Sequence, residues 1–255
     1  MRLFFVLIAF SLFSTAYAIT GQEIIGKVDA NMTYGTARSE AELVIHIGGE
    51  VRTKKLITYG EGKTKSYAEF TFPARDQGVK YLKIEDNMWM YLPEVDKIIK
   101  IAGHMLRQSM MGSDFSYEDA LESEQMLEKY SATLVSEEVI PVPYHKEGKM
   151  VEEPRLCYVV DLTAKVKEVT YFRKMIWVEK STLTPVREEL FALSGKKLKV
   201  MNLGDIQKFK NRHYPMYMSL KNLLRQDSLT EMFVRKIEFD VKIPVDTFTQ
   251  RKLSK

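Results

Sequence analysis

"MMGSDFSYEDAL", residues Met110–Leu121, interrupts a chain that otherwise reads as a series of short alternating strands. Ser116 is followed by Glu118 and Asp119, which is the pattern of a helix N-cap with acidic residues in the first turn. A short apolar helix inside a β-rich chain needs an apolar surface to lie against. This stretch therefore decides how the predicted sheet is covered.

The residues just before this stretch are also predicted to be helical. Residues 103–111 can form a second short helix, with Gly112–Asp114 as the corner between the two helices. Five of the fourteen methionines fall between Met88 and Met111, and methionine gives a flexible, polarizable apolar surface. These helices either plug the end of a barrel or form a lid over a lipid-binding concavity, and the same helices could do both.

The rest of the chain alternates with a period of two, as half-buried strands do. "RKIEFDVKI" (235–243) predicts one apolar strand face, and "VREELFAL" (186–193) predicts that Val186, Leu190 and Ala192 share another. Other strands are predicted near residues 41–47, 51–59, 64–72, 80–84, 88–92, 131–137, 156–162, 171–179 and 197–208. Many strands in series indicate an antiparallel meander that must curl, close or split. "PVPYHKEGKMVEEP" (141–154) is predicted to be an exposed polar loop.

The N-terminus has two distinct parts. Residues 1–18 combine Arg2, an apolar run and the Ala16-Tyr17-Ala18 pattern, so they predict a secretory signal peptide cleaved near Ala18. Thr20 and Glu23 then have the spacing of a helix capping box. No repeat or linker divides the remainder, so residues 19–255 are expected to form a single domain.

Several classes of function are disfavoured by composition. The charge is nearly balanced, with 38 Lys plus Arg against 34 Asp plus Glu, and no nucleic-acid recognition motif is present. The four histidines lack metal-ligand spacing, and no G-x-S-x-G elbow occurs. We therefore expect neither an enzyme nor a metal site, and no cofactor. Cys157 is interpreted as a strand residue that packs as a small apolar side chain.

A family resemblance rests on three stretches. "MWMYLPEVDKIIKIAGHMLRQSMMGSDFSYEDAL" (88–121), the opening "ITGQEIIGKVDANM" (19–32) and the close "IPVDTFTQRKLSK" (243–255) resemble the outer-membrane lipoprotein-sorting proteins of the LolA/LolB-like group. The central stretch looks like that of a longer branch of the group. The resemblance implies a mainly β fold with a helical lid. The sheet would be an unclosed, strongly curved antiparallel half-barrel, covered by short helices around a hydrophobic cavity.

The resemblance also suggests where a ligand binds. The strand at 88–92 offers two faces, one with Trp89 and Tyr91 and the other with Met88, Met90 and Leu92, and the sequence does not decide which face lines the cavity. An arginine that helps to hold the lid is implied by the family but cannot be assigned to a residue. The predicted ligand-binding residues are Trp89, Tyr91, Leu92, Met105, Leu106, Met110, Met111 and Phe115.

The function implied is that of a periplasmic carrier or chaperone that moves the acyl chains of lipoproteins or lipids between envelope membranes. Residue 19 is Ile rather than Cys, which favours a carrier without a lipid anchor. The expected partners are acyl chains, an inner-membrane transporter and an outer-membrane acceptor, and the carrier is expected to be a monomer. The alternative is a periplasmic sensor of lipids or mislocalised lipoproteins that signals to a partner protein. The cargo itself stays open.

Overall fold

One antiparallel sheet of 13 strands forms the body of the protein. A computed structural model describes residues 19–122, 126–210 and 212–255, so the predicted signal peptide at 1–18 lies outside the described residues. The strands are β1 Thr36–Ile47, β2 Glu50–Glu61, β3 Lys65–Phe72, β4 Lys80–Ile84, β5 Asn87–Leu92, β6 Lys97–Ile101, β7 Tyr130–Lys146, β8 Lys149–Ala164, β9 Arg173–Glu179, β10 Thr184–Phe191, β11 Lys197–Phe209, β12 Arg212–Asn222 and β13 Ser228–Phe239. The α-helices are α1 Gly21–Met32, α2 Tyr117–Leu121, α3 Met126–Lys129 and α4 Gln250–Leu253.

The strand order shows why the sheet stays open. β13 lies at the centre and pairs with β1, while the order runs outward through β1 to β6 on one side and through β12 to β7 on the other. The two edge strands are therefore β6 and β7, and they do not pair with each other. The predicted unclosed, curved antiparallel sheet is confirmed.

The chain between β6 and β7 has to travel from one edge of the sheet to the other. We call this connection, residues 102–122 and 126–129, the crossing segment. It contains two short 3₁₀ helices, Gly103–Arg107 and Met110–Gly112, followed by α2 and α3. The helix predicted at 103–111 is thus divided in two, and Met111 adopts a left-handed backbone conformation with φ of 53°. The predicted cap of α2 by Ser116 is confirmed, with Asp119 completing a capping box.

Two apolar clusters lie on the concave face, which we call the inner face. The crossing segment packs against the first, which is built on β1–β6 and contains Leu43, Leu56, Phe70, Tyr81 and Met88. Helix α1 packs against the second, which includes Val160, Leu162, Ile176 and Val178 of β8 and β9. The capping box predicted at Thr20 and Glu23 is present at the start of α1. Its buried residues Ile24, Ile25 and Val28 face the sheet.

The segment at 141–154 is not the exposed loop that its polarity predicts. It is the far end of the long β7–β8 hairpin, with a turn at Glu147–Gly148. This end folds across the outer face of the sheet, where Val142 packs with Cys157 and Val186. His145 reaches Asp205 on β11, with Nδ1 and Oδ2 3.3 Å apart. The fold-back is possible because Gly204 has no side chain, since a Cβ there would lie 1.9 Å from the carbonyl oxygen of Pro143.

Strand alternation fails at two predicted places. β10 has a register shift between Pro185 and Arg187, so Val186 packs in the outer cluster whereas Leu190 lines the inner face. The prediction that these two residues share a face was wrong, because a β-bulge turns the following side chains over.

The "RKIEFDVKI" strand ends at Phe239, and Asp240 has a positive φ of 57°. Strand β6 and strand β12 were not predicted at all.

Two glycines of α1 provide a test of how closely the helix contacts β7. A Cβ at Gly21 would lie 2.6 Å from the backbone nitrogen of Leu134, whereas a Cβ at Gly26 would meet only a methyl group of Leu127 at 3.8 Å. We expect Gly21→Ala to lower the free energy of unfolding by ~1–3 kcal/mol through overpacking. Gly26→Ala should raise it by ~0.5–1 kcal/mol because alanine is the better helix former. Urea denaturation of the two variants measures both, and a stabilising Gly21→Ala would contradict the close packing.

Candidate binding cavity

A cavity of about 540 Å³ lies between the inner face of the sheet, α1 and the crossing segment. This volume falls within the ~300–1,000 Å³ typical of small-molecule sites. Its surface is mainly apolar. The sheet contributes leucines to the wall, and the roof comes from α1 and the crossing segment. The wall includes Leu43, Leu56, Leu190, Leu203 and Leu220, and the roof includes Val28, Phe115 and Ala120.

Methionines are concentrated around this cavity. Three come from the sheet and three from the roof. They are Met201, Met218 and Met232 on β11, β12 and β13, and Met32, Met110 and Met126 above them. Unbranched thioether side chains adapt to ligands of irregular shape more readily than branched ones do. The lining is therefore adaptable on both sides of the cavity.

The predicted lid residues divide between the cavity and the packing beside it. Met110 and Phe115 line the cavity. Met105, Leu106 and Met111 instead pack against the apolar cluster on β1–β6. These three side chains hold the crossing segment on the sheet, and their role as ligand contacts stays a prediction.

The strand at 88–92 resolves into two faces. Met88 and Met90 lie on the inner face under the crossing segment, where Met90 accepts a hydrogen bond from the Tyr117 hydroxyl at 3.8 Å. Trp89 and Tyr91 lie on the outer face and pack with Leu253 of α4. Successive strand residues point to opposite faces, so only one pair can face inward. Within the described chain, Trp89, Tyr91 and Leu92 are not among the residues that line the cavity.

The corner of the crossing segment is pinned to the end of β12 and the start of β13. The side chain of Asp114 is 1% exposed. Its carboxylate accepts hydrogen bonds from the Ser228 hydroxyl at 2.6 Å and the Thr230 hydroxyl at 2.8 Å, and from the Asn222 backbone N–H at 3.3 Å. Asp114 thus does more than cap a turn, because it ties the crossing segment to the middle of the sheet.

An arginine secures the same corner from outside. Arg225, in the β12–β13 turn, donates from Nη1 to the carbonyl oxygen of Ser113 at 2.6 Å. The same group lies 3.4 Å from the carbonyl oxygen of Gly112. The family resemblance implies an arginine that helps to hold the lid, but the sequence does not show which arginine this is. Arg225 occupies such a position, and its contacts are made to backbone oxygens, which no side-chain motif reveals.

Helix α2 is held by a second set of polar contacts. The Asp119 carboxylate is bonded by Lys199 Nζ and by the Tyr171 hydroxyl, the latter at 2.5 Å. Burial and the neighbouring Asp119 raise the pKa of Tyr171, so this hydroxyl stays protonated and donates. Lys83 Nζ donates to the carbonyl oxygen of Leu121 at 3.0 Å. Buried polar groups require such partners, so these contacts fix the position of α2 over the sheet.

Beside α2, Glu122 pairs with Lys174 of β9 at 2.9 Å. Lys174 is 7% exposed. Burial, the largest single influence, would lower the pKa of Lys174, but Glu122, Tyr130 and Glu188 together outweigh burial and the pKa is raised. The ammonium group therefore keeps its charge in the interior of the protein.

The carboxylates on the cavity lining are paired, with one exception in the described chain. Asp29 pairs with Lys63 at 3.1 Å, Asp119 with Lys199, and Glu122 with Lys174. Glu188 also lines the cavity, yet no hydrogen bond or ion pair of its carboxyl group is found among the described residues. Burial raises the pKa of Glu188 above its ordinary value, Lys174 lowers it and Glu122 raises it again.

The Glu188 side chain points into the cavity because of the β-bulge in β10. Val186 is the extra residue between Pro185 and Arg187, and it shifts the alternation so that Glu188 points inward. β-Bulges commonly redirect side chains near functional sites. Period-two alternation places Glu188 on the same strand face as Leu190, but it gives no sign that this face lines a cavity. The pattern "KVMNL" at 199–203 also places Met201 and Leu203 on one strand face, but the sequence does not show that this face lines the cavity.

The one cysteine does not have the properties of a reactive group. Cys157 is fully buried in the outer cluster, away from the cavity. Burial raises the pKa of its thiol to about 12, so the nucleophilic thiolate is scarce at neutral pH. Among residues 19–122, 126–210 and 212–255, no cluster of His, Cys, Asp and Glu could hold a metal ion. None of the helices in those ranges has the length and apolar character needed to cross a membrane.

The open half-barrel covered by short helices defines a LolA-like fold, and comparisons with known proteins agree. A DUF1329 family protein from Desulfovibrio piger ATCC 29098 is 26% identical, with a TM-score of 0.80 over 91% of this chain and 97% of that one. A Vibrio parahaemolyticus protein described as an outer membrane lipoprotein-sorting domain is 20% identical, with a TM-score of 0.77 over 92% and 98%. A LolA superfamily protein from Nitrosomonas europaea is 19% identical, with a TM-score of 0.72 over 92% and 100%.

The family assignment rests on the sequence as well. Residues 62–255 match the model of a family that is described as uncharacterized protein-like. The chain belongs to this family, and its fold is LolA-like. Among curated proteins, none matches the chain.

The Asp114 anchor can be tested by hydrogen exchange. Asp114→Ala removes the acceptor for the two hydroxyls and the backbone N–H that bond to it. Loss of buried partners costs ~1–3 kcal/mol, so we expect amide exchange in residues 109–122 to rise about tenfold or more, with β1 and β2 unchanged. Arg107→Ala is the control, because the exposed Arg107–Glu118 pair should contribute little. Unchanged exchange in Asp114→Ala would show that this carboxylate does not hold the segment.

The Glu188 carboxyl should make stability depend on pH. Its pKa is raised in the folded protein from an ordinary value of 4.5, so the folded state holds the proton more tightly than the unfolded state. Stability is then lost as pH rises from about 4.5 through the folded pKa. We expect Glu188→Gln to match the wild-type Tm near pH 4 and to exceed it at pH 8.

Glu189, the next residue in the chain, is a control whose expected pH dependence of stability has the opposite sign. Burial alone would raise the pKa of Glu189, but Lys197 and Arg187 outweigh burial and the pKa is lowered. Glu189→Gln should therefore be less stable than wild type at pH 8, with the deficit shrinking as pH falls through the pKa. A Glu188→Gln variant that loses stability at pH 8 as Glu189→Gln does would contradict the assignment of an unpaired carboxyl.

Proposed function

We propose that this protein is a carrier that binds the acyl chains of a lipid or lipoprotein in its cavity and moves them between the membranes of the cell envelope. The observation that carries the proposal is the methionine-rich apolar cavity of about 540 Å³ beneath the crossing segment. Transfer of hydrocarbon out of water is worth ~0.8 kcal/mol per CH₂ group. A carrier that shelters an acyl chain in such a space keeps it from contact with water during transfer.

The crossing segment would serve as the lid of this carrier. It contacts the cavity through Met110, Phe115 and Ala120, whereas its anchors at Asp114 and Asp119 are polar. Polar anchors specify one closed position, because a shifted segment leaves these groups without partners. Apolar contacts with methionine and phenylalanine, in contrast, can be exchanged for equivalent contacts with an acyl chain. The mechanism is noncovalent, and no bond of the cargo is made or broken.

We propose that the protein acts in the periplasm. This rests on the sequence of residues 1–18, which resembles a cleaved signal peptide, and on the lipoprotein-sorting name of the Vibrio parahaemolyticus relative. We further propose that residues 19–255 act as a single domain that receives cargo from an inner-membrane transporter and gives it to an outer-membrane acceptor.

The experiment that tests the carrier function offers a long-chain fatty acid in donor vesicles to the delipidated mature protein. A carrier binds the fatty acid stoichiometrically, as native mass spectrometry can measure, and then delivers it to acceptor vesicles. Binding without delivery would instead favour a sensor that signals to a partner protein. Absence of binding would overturn the proposal.

Substitutions in the crossing segment distinguish residues that line the cavity from residues that pack beside it. Met110→Asp and Phe115→Asp each place a carboxylate on the apolar lining, and we expect fatty-acid affinity to fall tenfold or more. The reason is that burial of an unpaired polar group costs ~1–3 kcal/mol even by conservative measures. The measurement is equilibrium binding of the same fatty acid.

Met111→Asp is the matched control for both variants. Met111 is adjacent in sequence but packs outside the cavity, and aspartate tolerates its left-handed backbone. Its affinity should stay within about threefold of the wild-type value. Equal losses in all three variants would argue against the cavity as the binding site.

A further inference from the structure

Among the described residues that line the cavity, one carboxyl group has no hydrogen-bond or ion-pair partner. Glu188 is partly accessible in the structure, although the polypeptide surrounds it deeply. Its accessible surface faces the cavity that it lines. The other carboxylates on the lining, Asp29, Asp119 and Glu122, each have a lysine partner. Within the described chain, Glu188 is thus the carboxyl group available to a ligand.

The neighbouring cation does not satisfy Glu188. Lys174 lowers the pKa of the Glu188 carboxyl group, but the ammonium of Lys174 is bonded to Glu122. Its positive charge also disfavours a cationic ligand at this place. The environment therefore suits a neutral hydrogen-bond donor.

On the basis of the proposed carrier function, we infer that the cargo is an amphiphile with a hydroxyl or amide N–H group next to its acyl chain, and that Glu188 accepts a hydrogen bond from that group. The tail then lies against Met201, which is the cross-strand partner of Glu188 on β11, and against Met218 and Met232 beyond it. A site with a fixed polar group discriminates against a ligand that leaves this group unpaired. Glu188 is thus a specificity-determining residue.

Two probes of equal chain length test the inference. Hexadecan-1-ol has a hydroxyl donor, and methyl hexadecanoate has the same acyl length without a donor. Each radiolabelled probe is offered at pH 8 from phosphatidylcholine vesicles to wild type, Glu188→Met, Glu188→Gln and the control Glu189→Gln. Glu189 is the next residue of β10, but it is not among the cavity-lining residues and its carboxylate pairs with Arg187 and Lys197. The protein-bound fraction is counted after removal of the vesicles.

We expect the ratio of alcohol to ester bound by the wild-type protein to fall about tenfold in Glu188→Met, which is the usual size of the effect of one buried hydrogen bond. The ester itself should bind Glu188→Met as well as it binds wild type, which also shows that the variant is folded. Glu188→Gln should keep most of the preference because its amide oxygen still accepts, and Glu189→Gln should keep all of it.

The outcomes separate the inference from the function on which it rests. An unchanged ratio in Glu188→Met, or a wild-type protein that takes up both probes equally well relative to the vesicles, overturns the inference and leaves the carrier function standing. A wild-type protein that binds neither probe overturns the carrier function and the inference together.

Discussion

The crossing segment has to join two strands that lie at opposite edges of a 13-stranded sheet. Because the sheet is curved and open, the connection between β6 and β7 covers the inner face, and the apolar side chains of that face need a cover. The same connection therefore completes the apolar core on β1–β6 and roofs the cavity beside it. The cavity is a consequence of chain connectivity as much as of side-chain choice.

Two kinds of interaction hold this cover, and they have different physical properties. Asp114 and Asp119 are buried or nearly buried carboxylates with fixed hydrogen-bond donors. Such bonds are directional, so they define one position of the segment. Methionine and phenylalanine contacts are not directional, and they tolerate replacement by another apolar surface. A cover built in this way has a definite closed state and an interior that adapts to what it encloses.

Much of the fold could be predicted from sequence because its signals are local. The capping box at Thr20 and the N-cap at Ser116 begin helices as predicted. Alternating strands without a linker indicate an antiparallel meander that must curl, close or split, and the resemblance of residues 88–121 to lipoprotein-sorting proteins indicates an unclosed, covered half-barrel. Met110 and Phe115, which were predicted from this stretch, line the cavity.

The remainder depends on long-range pairing that no local pattern contains. Whether the side chains of Trp89 and Tyr91 point inward or outward depends on the register of β5 with β4 and on the position of α4. The far end of the β7–β8 hairpin folds back because Gly204 leaves room for Pro143. Val186 turns to the outer face at a single β-bulge, whereas Leu190 of the same strand lines the cavity. Each of these features changes the face that a side chain occupies, which is the property that alternation alone predicts least well.

The account depends on a hydrocarbon tail that lies inside the half-barrel beneath the crossing segment. A crystal structure of the mature protein with a terminally brominated long-chain alcohol tests this directly, because anomalous scattering locates the bromine atom. The account predicts a bromine peak within the cavity, in contact with the methionines of β11, β12 and β13. A stoichiometrically bound ligand whose bromine lies on the outer face, or beyond the edge of the sheet, would contradict it.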